Sequence, residues 1–170
     1  MSENQHFNQV HINELTKSFN NSWKFRLSLL KILPMGFLSG MRIKKLDENS
    51  CHVQVPYKWL NKNPFKSIFW AVLGMAAEMS SGALVLLYTY KQKPSIAMLV
   101  SKCDANFVKK ASDTTTFICN DGQLIKEAVI KSLSSKEGVE FKTSMTGYNS
   151  SNEEVAHFSF TWSIKQRSIK

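Results

Sequence analysis

Apolar residues recur at Leu15, Phe19, Trp23, Leu27 and Leu30, with Lys17, Asn20, Lys24 and Lys31 between them. Steps of four and three put the first set on one stripe of a helix and the second off it. Residues 14–33 are therefore predicted to form one amphipathic helix, stopped by Pro34 and Gly36. Ahead of it, residues 1–12 are polar and are expected to be a loose arm, with a single domain over 13–170. The period then changes. Residues 37–46 are a strand candidate, and Cys51, Val53, Val55 and Tyr57 alternate with His52, Gln54 and Pro56 in the next. Asp47, Glu48, Asn49 and Ser50 carry turn chemistry between the two, which predicts a hairpin.

A polar loop over 58–66 leads into residues 68–90, where Glu78 is the only formal charge. That run exceeds the roughly 20 residues a bilayer requires. A carboxylate near the middle of a span is costly, however. Ser80, Ser81 and Gly82 follow it at once, and the flanking segments alternate like strands that need something to pack on. A buried central helix, with Ser67 as its N-cap, accounts for all of this without a membrane span. Past Pro94, residues 96–107 begin apolar and continue with Cys103, Ala105 and Phe107 alternating. A Thr-rich strand at 114–119, a short helix at 122–134 and strands at 139–148 and 155–164 complete the chain. Phe158, Phe160, Trp162 and Ile164 share one face of the last strand. Strands grouped around a segregated helix predict an α+β fold, with an antiparallel sheet of about six strands curved around the long helix.

The length, 170 residues, suits one domain, and 43% hydrophobic residues exclude intrinsic disorder. The net charge of +9 favours anionic partners: nucleic acid, a membrane surface or phosphorylated small molecules. The basic residues are scattered, and no nucleic-acid-binding motif stands out, so no nucleic-acid partner is expected. Cys51, Cys103 and Cys119 are odd in number and widely spaced, which suits reduced thiols. The polar amino terminus lacks the apolar core of a signal peptide, and a cytoplasmic protein is expected. His6, His11, His52 and His157 show no ligand spacing with the thiols or carboxylates, so no metal is expected.

Two features carry chemistry. Burying the long helix would desolvate Glu78, and perturbed carboxylates cluster at functional sites. Its helical neighbours Ala71, Gly74, Ser81 and Gly82 are all small, which leaves room on that face for a ligand or a close-packed helix. The second feature is the helix start, whose amides have no intrahelical partner and suit an oxygen that becomes negative. Asn63, just upstream, is a turn residue on its own account.

The segment from Asn63 through Phe69, Trp70, Ala71 and Glu78 to Gly82 resembles the central motif of the hotdog-fold acyl-CoA thioesterases, with the phenylacetate-pathway and hydroxybenzoyl-CoA enzymes the nearest comparison. In that group a loop Asn or Gln precedes the oxyanion-hole amide by seven residues and a helical carboxylate by fifteen. Here those offsets fall on Trp70 and Glu78. The element order agrees over residues 36–165. The His-Gly-Gly of the resemblance is Phe69-Trp70-Ala71, and the usual loop Gly is Lys66. The resemblance implies a hotdog fold with an added N-terminal helix, and hydrolysis of an acyl-CoA or acyl-carrier thioester. In that reading the amides of Trp70 and Ala71 polarise the carbonyl, Asn63 orients it or the water, and Glu78 from the other subunit activates water or attacks directly. Ser81 holds Glu78 or the water. Phe65, Lys66, Phe69, Met75, Met79 and Gly82 contact substrate, and Lys66, Lys109 and Lys110 are the candidates for coenzyme A phosphates. Coenzyme A enters as part of the substrate, and no cofactor is expected.

Trp70 and Glu78 are eight residues apart, or about 12 Å along a helix. A reacting carbonyl lies about 3 Å from its donors, so one helix cannot readily supply both groups. A homodimer with composite sites, or a dimer of such dimers, is expected. The alternative is a non-catalytic module that binds acyl-CoA or an acyl chain, with Phe69 and Trp70 closing the oxyanion hole.

Overall fold

The computed structural model describes residues 7–135 and 137–167. Three helices come first: α1 (Gln9–Asn20), α2 (Ser22–Ile32) and α3 (Pro34–Ser39). Strands β1 (Arg42–Leu46) and β2 (Cys51–Val55) follow, then a 3-10 turn (Trp59–Asn61) and the long helix α4 (Trp70–Thr89). The chain continues with β3 (Ile96–Phe107), β4 (Thr115–Cys119), α5 (Gly122–Ser135), β5 (Val139–Tyr148) and β6 (Glu154–Gln166). All strand pairs are antiparallel, in the order β1-β2-β4-β5-β6-β3. This is the hotdog fold, with α4 held against the sheet.

The alternating strands do what their period dictates. Val139, Phe141, Thr143 and Met145 of β5, and Val155, Phe158, Phe160, Trp162 and Ile164 of β6, point inward and are buried. Leu73, Ala76, Ala77, Leu84 and Val85 of α4 fill the space above them. The apolar length of α4 would suit a membrane crossing, but its inner face is covered by this core. Two of its small residues admit the sheet's aromatics. A Cβ on Gly74 would sit 3.4 Å from the Phe158 ring, and one on Gly82 3.4 Å from the Trp162 ring.

The amino-terminal region departs from the single predicted helix over 14–33. The chain is already helical at Gln9, and it breaks at Asn21, which is extended in its backbone and caps α2 with its side-chain Oδ1, accepting the Lys24 amide at 3.0 Å. That break turns the stripe. Leu15 and Phe19 are buried, but Phe25 and Leu29 take the inner positions in α2. Trp23, Leu27 and Leu30, expected inside, are exposed. The strand expected at 37–46 starts only at Arg42. Pro34 opens a short helix instead, closed by Gly40 in the left-handed conformation (φ 78°).

Candidate functional site

The loop into α4 is organised by Asn63. Its Oδ1 accepts the amides of Phe65 (3.0 Å) and Ser67 (3.2 Å), and its Nδ2 lies 3.0 Å from the Ser67 hydroxyl. Its amide group is thus engaged within its own turn. Lys66 occupies the left-handed region at φ 59°, where a glycine would be unstrained. The Ile68 amide donates to the Ala111 carbonyl (2.8 Å) and the Phe69 amide to the Asn61 carbonyl (2.7 Å). The N-cap of α4 is therefore Phe69 and not Ser67, and no side chain caps it.

The next two amides, of Trp70 and Ala71, have no hydrogen-bond partner among the described residues, and helical bonding begins with Val72 and Leu73 on the Phe69 carbonyl. Their free N–H groups stand at the positive end of the helix dipole. Beside them is a cleft of about 400 Å³, lined among others by Asn63, Trp70, Phe107, Lys109 and Lys110. Lys109 is paired with Glu153 at 2.6 Å.

Glu78 belongs to a different cavity, of about 240 Å³ and nearly all apolar. Phe25 and Leu29 of α2 form one wall, Met75, Met79 and Gly82 of α4 the floor, and Met98 of β3 with Trp162 of β6 the far side. The carboxylate is exposed in the single chain, not enclosed as its apolar sequence context predicts. It has no hydrogen bond or ion pair among the described residues. Desolvation by the protein on one side still pushes its pKa up from the ordinary value. Burial also raises the Cys103 thiol, with the negative charges of Asp104 and Glu78 adding to it, so Glu78 acts on the β3 side of α4.

Ser81 does not hold the Glu78 carboxylate. Its hydroxyl donates to the Glu78 backbone carbonyl (3.2 Å) and accepts the Trp162 indole N–H (3.2 Å). Phe65, Lys66 and Phe69 are exposed on the loop and line neither cavity. The structure thus gathers Met75, Glu78, Met79 and Gly82 in one cavity, and Asn63, Trp70 and Lys110 around another. Among the described residues no three His, Cys, Asp or Glu side chains come together as metal ligands would. Sequence reasoning missed the α2 wall, although Phe25 and Leu29 have the i, i+4 spacing of a second stripe. It also missed β3, where nine of the twelve residues, Met98 through Phe107 with the exception of Val100, are exposed.

Residues 23–164 match the family DUF4442, described as a domain of unknown function. No curated protein matches the sequence. Among solved structures, a Pseudomonas aeruginosa protein of unknown function, described as a probable thioesterase, superposes with a TM-score of 0.72 at 17% identity, over 85% of this chain and 95% of that one. The Escherichia coli PaaI protein of the phenylacetic acid degradation operon gives 0.61 at 13% identity, covering 89% and 96%. A Haemophilus influenzae thioesterase gives 0.58 at 13% identity, covering 82% and 88%.

Proposed function

The chain belongs to the DUF4442 family, and from its hotdog fold and the two cavities along α4 we propose that it hydrolyses an acyl thioester of coenzyme A or of an acyl carrier. Water adds to the thioester carbonyl carbon, the carbonyl oxygen becomes negative, and collapse breaks the C–S bond to give a free acid and a thiol. The observation that carries the reading is the pair of unpaired amides, Trp70 and Ala71, beside a cleft that also bears Lys110. Donors fixed before the reaction stabilise a developing oxyanion without reorganising. Glu78 takes the proton from water and returns it to the leaving thiolate. Met75 and Met79 line an apolar cavity that suits the acyl group. Lys110, which has no ion pair among the described residues, and Lys66 are available to coenzyme A phosphates.

About 12 Å of helix separates the amides from Glu78 in one chain, so the two groups meet only across a subunit boundary. β3 supports such a pairing. Met98, near its start, walls the Glu78 cavity, and Phe107, at its end, walls the amide cleft. An antiparallel pairing of two β3 edges about a two-fold axis sets Met98 of one subunit opposite Phe107 of the partner subunit. Each Glu78 cavity then adjoins the partner's amide cleft.

The second reading, a non-catalytic acyl binder, is favoured by Asn63, whose side-chain oxygen and one N–H are engaged within its own turn. A panel of acyl-CoAs, aliphatic and aromatic, separates the two by release of free thiol. Hydrolysis that Glu78→Gln abolishes while the assembly persists supports the first. Saturable binding without turnover by the unaltered protein supports the second.

A further inference from the structure

The rotated stripe of α2 leaves an apolar surface that neither cavity uses. Trp23 is 78% exposed, Leu27 62% and Leu30 53%, and they form one wall of a groove of about 440 Å³ on the outer side of the helix. Phe37 of α3 and Arg42 of β1 close the groove, and Arg26 lies between the walls with its guanidinium 4.8 Å from the centre of the Phe37 ring. Met35 (63%) and Leu38 (50%) of α3 and Trp59 (75%) extend the exposed apolar area. The Lys58 ammonium bonds the Leu38 carbonyl at 2.6 Å, which brings the Trp59 turn against α3. Such a concentration is unusual for a surface that meets only water.

The charge around it is one-sided. From Leu15 to Ala77 ten Lys and Arg stand against two acids, Asp47 and Glu48, whereas the remainder of the chain is nearly balanced. Asp47 is already paired with Lys45. Arg26, Arg42 and Lys58 have no ion pair among the described residues, and Lys24 and Lys31 flank the stripe on α2. Tryptophan and leucine projecting from a helix whose charged groups, Lys24, Arg26 and Lys31, are all cationic is the pattern of a segment lying in a lipid headgroup layer.

We propose that this face is a peripheral docking surface for an anionic phospholipid bilayer. Trp23, Leu27 and Leu30 enter the headgroup boundary, and Arg26, Arg42 and Lys58 meet lipid phosphates. A second copy of the chain is the poorer occupant, because two such faces would bring unpaired cations together. The β3 edge used for the proposed dimer is at the opposite end of the sheet from β1, so dimerisation leaves the groove open. α2 is then a partition, with lipid on its Trp23 side and the Glu78 cavity on its Phe25 side.

The test is flotation of the full-length protein with vesicles of phosphatidylcholine alone or mixed with phosphatidylglycerol. Binding is expected to the mixed vesicles only, and to weaken as salt screens the cations. Each cation near such a surface contributes about 1 kcal/mol, so the double variant Arg26→Gln, Arg42→Gln should bind roughly 30-fold more weakly. Trp23→Ser with Leu27→Ser should abolish flotation and leave the thermal melt unchanged, since both side chains are solvent-facing. Glu78→Gln should float like the unaltered protein, which separates this docking from the hydrolysis reading. No flotation, equal flotation with uncharged vesicles, or flotation indifferent to both double variants overturns the proposal. A smaller oligomer on light scattering for the Trp23, Leu27 variant assigns the face to a second copy and overturns it as well.

Discussion

Glu78 and Asp47 are two partly exposed carboxylates that the fold moves in opposite directions. For Glu78 desolvation raises the pKa with no donor to offset it. A general base must be ionised, so kcat/KM for an acyl-CoA should rise with pH through a value above the ordinary glutamate range, and a pH–rate profile reads this directly. The same shift bears on stability with a fixed sign. Because the folded state holds this proton more tightly than the unfolded state, stability is lost as pH rises from the unfolded value through the folded one. Glu78→Gln should therefore melt slightly higher than the unaltered protein at neutral pH, and the gap should close in acid. For Asp47 burial also acts upward, but hydrogen bonds from Lys45 and from the Asn49 and Ser50 amides outweigh it and bring the pKa to about 2. Its contribution is complete above the ordinary value of 3.8 and is lost as pH falls toward about 2. An acid titration of the melting temperature should show that loss, and Asp47→Asn should flatten it. Glu78 stands out in the sequence because no other charge lies within ten residues of it, but its exposure does not, since that depends on the open side of β3. The amides of Trp70 and Ala71 were named through the family resemblance and not from the local pattern, because they are left free only where the loop carbonyls of Asn61 and Ala111 satisfy the two amides before them.

Elements with a clean two-residue alternation were legible almost to the residue: the expected strand at 139–148 is β5, and the turn at Asp47–Ser50 joins β1 to β2. The helical layer was not, because Leu15, Phe19, Trp23 and Leu27 keep a perfect four-residue step across Asn21, where the helix stops. One polar side chain accepting one amide outweighs that periodicity. Pro34 and Gly40 had the Pro-first, Gly-last signature of a short helix, obscured by the apolar residues between them. Two substitutions test how closely the elements dock. Gly122, which opens α5, is packed under the β1–β2 turn, and a Cβ there would meet the Glu48 carbonyl oxygen and stand 2.7 Å from the Asn49 Cα. Both are backbone atoms that cannot swing aside, so Gly122→Ala should cost about 2–3 kcal/mol, read from the denaturant midpoint. Lys66→Gly removes the left-handed side-chain clash in the α4 loop, worth about 1 kcal/mol, and partly offsets it through the freer unfolded chain. Its melting temperature should rise slightly, and any change in acyl-CoA turnover then reports on the lysine's charge and not on a collapsed loop.

On the scale of the whole molecule, β3 is the feature that a single chain leaves unexplained. It is twelve residues long and lies at one edge of the sheet, and Met98, Leu99 and Phe107 are exposed along it. A long edge strand with apolar side chains and an open row of backbone donors and acceptors is a template for another strand. Pairing two copies antiparallel so that Met98 faces Phe107 of the partner subunit puts the two-fold axis between Lys102 and Cys103. A thiol from each subunit then lies next to that axis. Cys51 and Cys119 cannot substitute for it, since both are buried and desolvation raises their pKa values, that of Cys119 to about 12. A short bis-maleimide should therefore link two chains into one covalent dimer on a denaturing gel, and Cys103→Ser should abolish the link without changing the mass in light scattering. Leu99→Asp, which sets a charge on the pairing edge, should give a folded monomer that neither cross-links nor turns over acyl-CoA. Loss of turnover together with the dimer is what composite sites require. A Leu99→Asp monomer with full activity would return Glu78 and the Trp70 amide to a single chain, against the 12 Å of helix between them.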